Sequence, residues 1–186
     1  MNSMSKGNWQ EEKGCGCRKE KEDNRKKEID DEVLLKCVSG NSQLLPTVAA
    51  GTTPSTFNLV SFVLNTSHFK NPCIKYEFAS NILSNIPATA TTALTINFQI
   101  FKRCRRDVAP GTAVGPVWTF TRPIGALNTA DTFSFIVCDC GCDCDCDKDD
   151  CCTYTVVASV VTNPTTTAII NNPTFSALVV ERGSRC

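Results

Sequence analysis

The segment Leu94-Thr-Ile-Asn-Phe-Gln-Ile100 alternates apolar and polar side chains without a break. Because successive side chains of a β-strand point to opposite faces, this pattern predicts a strand with one buried and one solvent-facing side. Similar apolar runs, rich in Val, Ile and Phe, occur before and after it. They lie within residues 34–38, 57–64, 74–78, 117–120, 133–137, 154–158 and 175–179. The chain is therefore expected to form about eight strands.

The segments between these runs favour turns. Pro and Asn recur there, as in Asn71-Pro72, Arg122-Pro123 and Asn163-Pro164. Nothing after residue 33 has the period of a long amphipathic helix, and Phe supplies ten of the fourteen aromatic residues. The sequence predicts an all-β fold, an antiparallel β-sandwich that is jelly-roll-like.

A chain of 186 residues is long enough for one well-formed core. Residues 1–31 are mostly charged, so they are predicted to be a flexible charged N-terminal arm, which carries the pair Cys15 and Cys17. Residues 32–186 are predicted to form the β-sandwich domain, with a Cys/Asp-rich hairpin at 138–152.

Seven of the thirteen cysteines lie in one run, Cys138-Asp-Cys-Gly-Cys-Asp-Cys-Asp-Cys146, followed by Cys151-Cys152. Neighbouring cysteines at this spacing are strained as a pair, so their partners are expected across the hairpin, elsewhere in the fold, or on another molecule. The odd total leaves at least one thiol free or paired between chains. The candidates for disulfides between subunits are Cys15, Cys17, Cys138, Cys140, Cys142, Cys144, Cys146, Cys151, Cys152 and Cys186.

Binding of soft metal ions is the alternative function for the cysteine run. Thiolates bind Zn²⁺ and Cu(I), although structural zinc sites usually space their cysteines C-x₂₋₄-C rather than C-x-C. The metal ligands in this interpretation are Cys138, Cys140, Cys142, Cys144, Cys146, Cys151 and Cys152. Under the cross-linking interpretation no cofactor is expected. The scattered Cys73 and Cys104 lie at strand ends and are interpreted as buried small hydrophobic residues.

Catalysis has little support in the sequence, and the chain is expected not to be an enzyme. His68 is the only histidine, no nucleophile motif surrounds a cysteine, and neither a P-loop nor a dinucleotide fingerprint occurs. The formal net charge is zero, and the basic cluster at 102–106 is interpreted as a solvated turn or as an electrostatic partner of the acidic hairpin. Because the net charge is zero, nucleic acid is not expected as a partner. A membrane is not expected either, since no apolar run is long enough to span a bilayer.

Two stretches carry a resemblance to known proteins. Phe133-Ser-Phe-Ile-Val-Cys-Asp-Cys-Gly-Cys142 and Cys151-Cys-Thr-Tyr-Thr-Val156 resemble a family of uncharacterised proteins from spore-forming Clostridia. In plan the chain is also similar to endospore appendage (spore pilus) subunits, which join a jelly-roll body to a cysteine-bearing N-terminal connector. Only Cys15 and Cys17 match that connector, and here the arm is longer and far more charged.

The resemblance implies a structural function. The chain is expected to be a self-assembling subunit of a disulfide-cross-linked spore-surface layer or extracellular filament. Its expected partners are copies of itself and other spore-surface proteins. Residues 1–31 contain no apolar signal-peptide core, so synthesis in the mother cell cytoplasm is expected. A soft-metal-binding module and a small-ligand or carbohydrate-binding jelly roll stay open as alternatives.

Overall fold

The computed structural model describes residues 33–69, 72–104, 111–140 and 151–181. Within these ranges the chain forms nine strands and contains no helix that is long and apolar enough to cross a membrane. The strands are β1 (Val33–Ser39), β2 (Gln43–Leu44), β3 (Ser55–Asn65), β4 (Pro72–Ser84), β5 (Leu94–Cys104), β6 (Thr112–Arg122), β7 (Thr129–Asp139), β8 (Cys151–Thr162) and β9 (Ile169–Glu181).

The strands form two antiparallel sheets. One has the order β1-β9-β4-β7, with β2 paired to β9 as its fifth strand, and the other has the order β3-β8-β5-β6. The ladders are nested, because β5 pairs β6, β4 pairs β7, β3 pairs β8 and β1 pairs β9. A long hairpin rolled so that alternate pairs fall in opposite sheets is a jelly roll. The predicted all-β sandwich is confirmed.

Strand β5 shows how the alternation of apolar and polar residues produces one buried face. Leu94, Ile96 and Phe98 are fully buried, whereas the polar residues between them are only partly covered. Phe98 contacts two rings of the facing sheet, with ring centroids 5.7 Å from Phe78 and 4.6 Å from Phe133. The alternation predicted for residues 94–100 therefore directs one face of β5 into the core.

Aromatic rings join the two sheets near the β7 to β8 end of the core. Tyr76 and Phe175, from the five-stranded sheet, meet Tyr154 and Phe62 from the four-stranded sheet. The ring centroids of Tyr76 and Tyr154 are 5.0 Å apart, and those of Phe62 and Phe175 are 4.6 Å apart. Burial raises the pKa of the Tyr76 phenol far above its ordinary value, so this ring stays neutral at any physiological pH.

Strands β6 and β7 close one side of the sandwich. Gly115 of β6 has a φ of 73°, and a Cβ at this position would lie 2.6 Å from a methyl carbon of Val137. Only glycine fits both the backbone conformation and the space. Towards the other end of the two strands, the Arg122 Nε donates to Asp131 Oδ2 at 2.6 Å, so an ion pair links the two edge strands.

The chain leaves β7 in one sheet and enters β8 in the other. Strand β7 pairs with β4, while β8 pairs with β3 and β5. This corrects the prediction of a Cys/Asp-rich hairpin at 138–152, because two strands in different sheets cannot form one. The predicted arm at 1–31 and the centre of the cysteine run at 141–150 lie outside the described residues.

Candidate functional site: the cysteines of the sandwich

Two disulfides whose cysteines both lie in the described residues join neighbouring strands, one in each sheet. Cys104 of β5 is bonded to Cys152 of β8, and Cys73 of β4 is bonded to Cys140, the residue after β7. Their Cα atoms are 4.1 Å and 4.2 Å apart. Cys104 and Cys152 lie directly opposite each other in the strand register. Antiparallel strands bring residues that do not share hydrogen bonds to about this separation, so the ladder itself positions the sulfurs.

One disulfide lies on the inner, core-facing side of its sheet and the other lies on the outer face of its sheet. Cys152 is only 4% exposed and belongs to the hydrophobic core, so the Cys104–Cys152 bond closes one end of that core. Cys73 precedes the buried Ile74 and therefore points outward, which places the Cys73–Cys140 bond on the outer face of the five-stranded sheet. Both bonds tie together strands that are far apart in sequence.

These bonds change the expected roles of several cysteines. Cys140 and Cys152 were predicted as candidates for linking subunits, but they are paired within the chain. Cys73 and Cys104 were interpreted as buried unpaired residues, yet both are half-buried and disulfide-bonded. Cys151 is disulfide-bonded as well. The physical reason is the strand order, which brings β4 beside β7 and β5 beside β8.

Two cysteines of the described residues are free and exposed, namely Cys37 of β1 and Cys138 of β7. Cys138 was predicted as a linking candidate, whereas Cys37 was not, because a single cysteine inside a strand gives no spacing signal. The remaining candidates lie outside the described residues: Cys15, Cys17, Cys142, Cys144, Cys146 and Cys186.

The free thiols share the outer face of the five-stranded sheet with exposed apolar side chains. Leu35 is 68% exposed and Val33 is 58% exposed, although both are large hydrophobic residues. Between the apolar residues, Lys75 and Glu77 form an ion pair with Nζ and Oε2 3.7 Å apart. We call this surface the thiol face. Its residues are Val33, Leu35, Cys37, Lys75, Glu77, Ile136, Cys138, Ser176 and Leu178.

The metal interpretation loses three of its seven proposed ligands. Cys140, Cys151 and Cys152 are in disulfides, and metal binding needs thiolates. Cys138 is free, and the other three proposed ligands lie outside the described residues. Across the four described ranges, no group of three or more His, Cys, Asp or Glu side chains converges on one point.

The outer face of the four-stranded sheet has a different character. A shallow groove of about 300 Å³ lies there, lined by amide and hydroxyl side chains that include Asn97, Gln99 and Ser159. The half-buried ring of Phe101 forms part of its floor, beside Val157. The groove therefore combines an aromatic surface with hydrogen-bonding groups, a combination that suits a small polar ligand.

Family membership follows from a match over the whole sandwich. A family model described as a domain of unknown function (DUF4489) matches residues 31–180, from just before β1 to the last residue but one of β9. The chain belongs to the DUF4489 family. This confirms the predicted membership of an uncharacterised family. No curated protein matches this DUF4489 chain significantly.

Several solved structures are weakly similar to this chain. A structure of the infectious bursal disease virus Gx strain has a TM-score of 0.48 and 10% identity, covering 83% of this chain and 33% of that chain. Tailspike protein 4 of bacteriophage CBA120 has a TM-score of 0.32 and 15% identity, covering 75% and 19%. Carbohydrate-binding modules of the β-sandwich superfamily have a TM-score of 0.26 and 12% identity, covering 79% and 56%. The DUF4489 chain spans about a third of the first of these, and at such scores the likeness says nothing about function.

Proposed function

We propose that this DUF4489 chain is a structural subunit that assembles with copies of itself and is held in the assembly by disulfides between chains. The observation that carries the proposal is the pair of free, exposed thiols, Cys37 and Cys138, on a body that already contains internal disulfides. Structural disulfides persist in oxidising surroundings, and exposed thiols oxidise in the same surroundings. Thiols that meet across an interface between copies would become covalent links.

The location we propose is a spore-surface layer or an extracellular filament, with synthesis in the mother cell cytoplasm. The resemblance to a family of proteins from spore-forming Clostridia, and to endospore appendage subunits, supports this location. Covalent links suit such a structure because a disulfide-linked assembly loses a subunit only when every bond to that subunit is broken. The benefit is resistance to dissociation at high dilution, where assemblies without covalent links come apart.

Gel mobility tests the proposal on native material whose thiols have been blocked by alkylation. Without reductant we expect disulfide-linked multimers, and with reductant we expect a single band near the chain mass of 20.2 kDa. A monomer band without reductant would contradict the proposal. A chelator serves as the control, because it should leave the multimers intact. Loss of the multimers by chelator alone would favour the zinc or copper module instead.

The groove on the four-stranded sheet favours a second candidate function, the binding of a carbohydrate. Aromatic rings stack on the C–H faces of sugars, and side chains such as Asn97 and Gln99 suit their hydroxyl groups. Calorimetric titration with cello-oligosaccharides and with N-acetylglucosamine oligomers tests it. We expect saturable binding that Phe101→Ala abolishes, while Val63→Ala, also on the outer face of this sheet, leaves it unchanged. Absence of saturable binding to both oligomers would remove this candidate.

A further inference from the structure

We infer that the thiol face is the surface through which two copies of this chain pack, and that Cys37 of each copy forms a disulfide with Cys138 of the other. This inference rests on the proposed function, since it names the surface and the bond that link the subunits. It draws on the positions of the two thiols, on the apolar residues around them and on the charges at the centre of the face.

The positions of the thiols exclude a bond between them within one chain. Cys37 is on β1 and Cys138 is on β7, the two edge strands of the five-stranded sheet, with β9 and β4 between them. Adjacent strands are about 4.8 Å apart, so roughly 14 Å separates the two edges. A disulfide requires Cα atoms within about 7 Å. Cys37 and Cys138 can therefore join only when they belong to different copies.

The strand register places apolar side chains around the two thiols. Leu35 lies opposite Leu178 of β9, and Ile136 lies in the same row as Cys37, three strands away. Ile136 is 47% exposed and Leu178 is 37% exposed. Contact with a second copy would remove these side chains, together with Leu35 and Val33, from water, which is the main favourable term in association.

The charges on the thiol face suit a second copy of the same face. Lys75 and Glu77 lie on neighbouring outward positions of β4, and both side chains are about half-exposed. The face thus presents one positive and one negative group at its centre, and these cancel. A symmetric partner meets this surface with both charges as well, so each lysine can approach a glutamate of the other copy. A uniformly charged face would repel its own copy.

Two-fold symmetry explains why the bond is expected to form twice. In a two-fold interface, when residue i of the first copy contacts residue j of the second, residue j of the first copy also contacts residue i of the second. An axis that lies parallel to the sheet and perpendicular to the line from Cys37 to Cys138 exchanges the two thiols, so Cys37 on β1 of each copy lies over Cys138 on β7 of its partner. Antibody domains show that one disulfide can span two sheets packed face to face. Cys37 and Cys138 are thereby brought together at both edges of the interface.

The covalent step needs an electron acceptor, which we take to be dissolved oxygen. For each bond, the Cys37 thiol and the partner's Cys138 thiol lose two protons and two electrons, and a sulfur–sulfur bond forms. Oxygen accepts the two protons and two electrons and is reduced to hydrogen peroxide. Packing of the two faces precedes this step, because it holds the sulfurs in reach of one another.

The test uses the full chain, oxidised in air, alkylated, and mapped by digestion and mass spectrometry without reduction. We expect a peptide pair that joins Cys37 to Cys138, and we expect Cys37→Ser and Cys138→Ser each to eliminate it. The matched control is Cys186→Ser, which changes a cysteine that belongs to neither side of the proposed bond and should leave that pair in place. Oxidised multimers that contain no Cys37–Cys138 pair would overturn the inference and leave the proposed function standing. The absence of any disulfide between chains would overturn both.

A second measurement tests the packing without the thiols. Sedimentation in reductant should detect a reversible dimer, and Leu35→Glu should weaken its association by about tenfold or more because a charge replaces a buried apolar side chain. Val63→Glu is the control, since Val63 is 46% exposed on the outer face of the other sheet. Equal effects of the two substitutions, or a strict monomer in the parent protein, would contradict packing through the thiol face.

Discussion

Replacing Cys104 and Cys152 together by Ala is expected to lower the free energy of unfolding by about 4 kcal/mol. The disulfide joins residues 48 positions apart, and its loss restores the conformational entropy of that loop to the unfolded chain. Cys152 is also buried in the core, so its substitution removes packed sulfur as well. Urea unfolding, followed by fluorescence of the tryptophans, measures the change.

Cys37→Ala is the matched control for this pair, because its thiol is free and exposed on β1. It should change the free energy of unfolding of the monomer by no more than about 0.5 kcal/mol. If the Cys104/Cys152 double variant unfolds at the same urea concentration as Cys37→Ala, the disulfide does not stabilise the core. Comparing both variants in reductant, with the parent protein alongside, separates loss of the bond from loss of side-chain packing.

Phe98→Ala is expected to cost about 3–5 kcal/mol, which is a large part of the total stability of a domain of this size. Phe98 is fully buried and contacts two rings of the facing sheet, so its removal leaves a cavity that the two sheets cannot easily fill. Thermal and urea unfolding of the purified variant measure the loss. Failure to recover folded protein would agree with a cost at the upper end.

Phe101→Ala provides the comparison within the same strand. Phe101 is on the opposite face of β5, where it is only half-buried, so its truncation should cost clearly less than that of Phe98. Equal losses at the two positions would contradict the assignment of residues 94–100 to a strand with one buried face. The reverse order would mean that the inner and outer faces of the sheet have been exchanged.

The strands of this fold could be predicted because their pattern is local. Alternation of apolar and polar residues identifies a half-buried strand without reference to the rest of the chain, and every predicted run lies within a strand. The two-residue strand β2 was missed because it is too short to show a period. The start of β6 was also missed, since Gly115 and Pro116 favour a turn, whereas the structure uses Gly115 for a close approach to Val137.

The partners of the cysteines could not be predicted, because they depend on which strands are neighbours. Consecutive strands usually pair, which led to the hairpin predicted at 138–152. The jelly roll instead places β7 and β8 in different sheets, so Cys140 meets Cys73 and Cys152 meets Cys104. The outward direction of Cys138 was available from the sequence, since Phe135 and Val137 alternate with it. The sequence could not show that Cys37 lies on the same face as Cys138, because this depends on the order of four strands.

The central claim is that some cysteines form disulfides within the chain and others form disulfides between copies. Disulfide mapping of a mixture of unlabelled and isotope-labelled chains tests it. Unlabelled and ¹⁵N-labelled chains are mixed in equal amounts under reductant, oxidised together in air, alkylated and digested without reduction. The account predicts that Cys73–Cys140 and Cys104–Cys152 peptides carry a single isotope, and that Cys37–Cys138 peptides include pairs that carry both. Cross-linked peptides that never mix isotopes would contradict assembly through disulfides. Mixed isotopes in the Cys104–Cys152 peptide would contradict the internal bond.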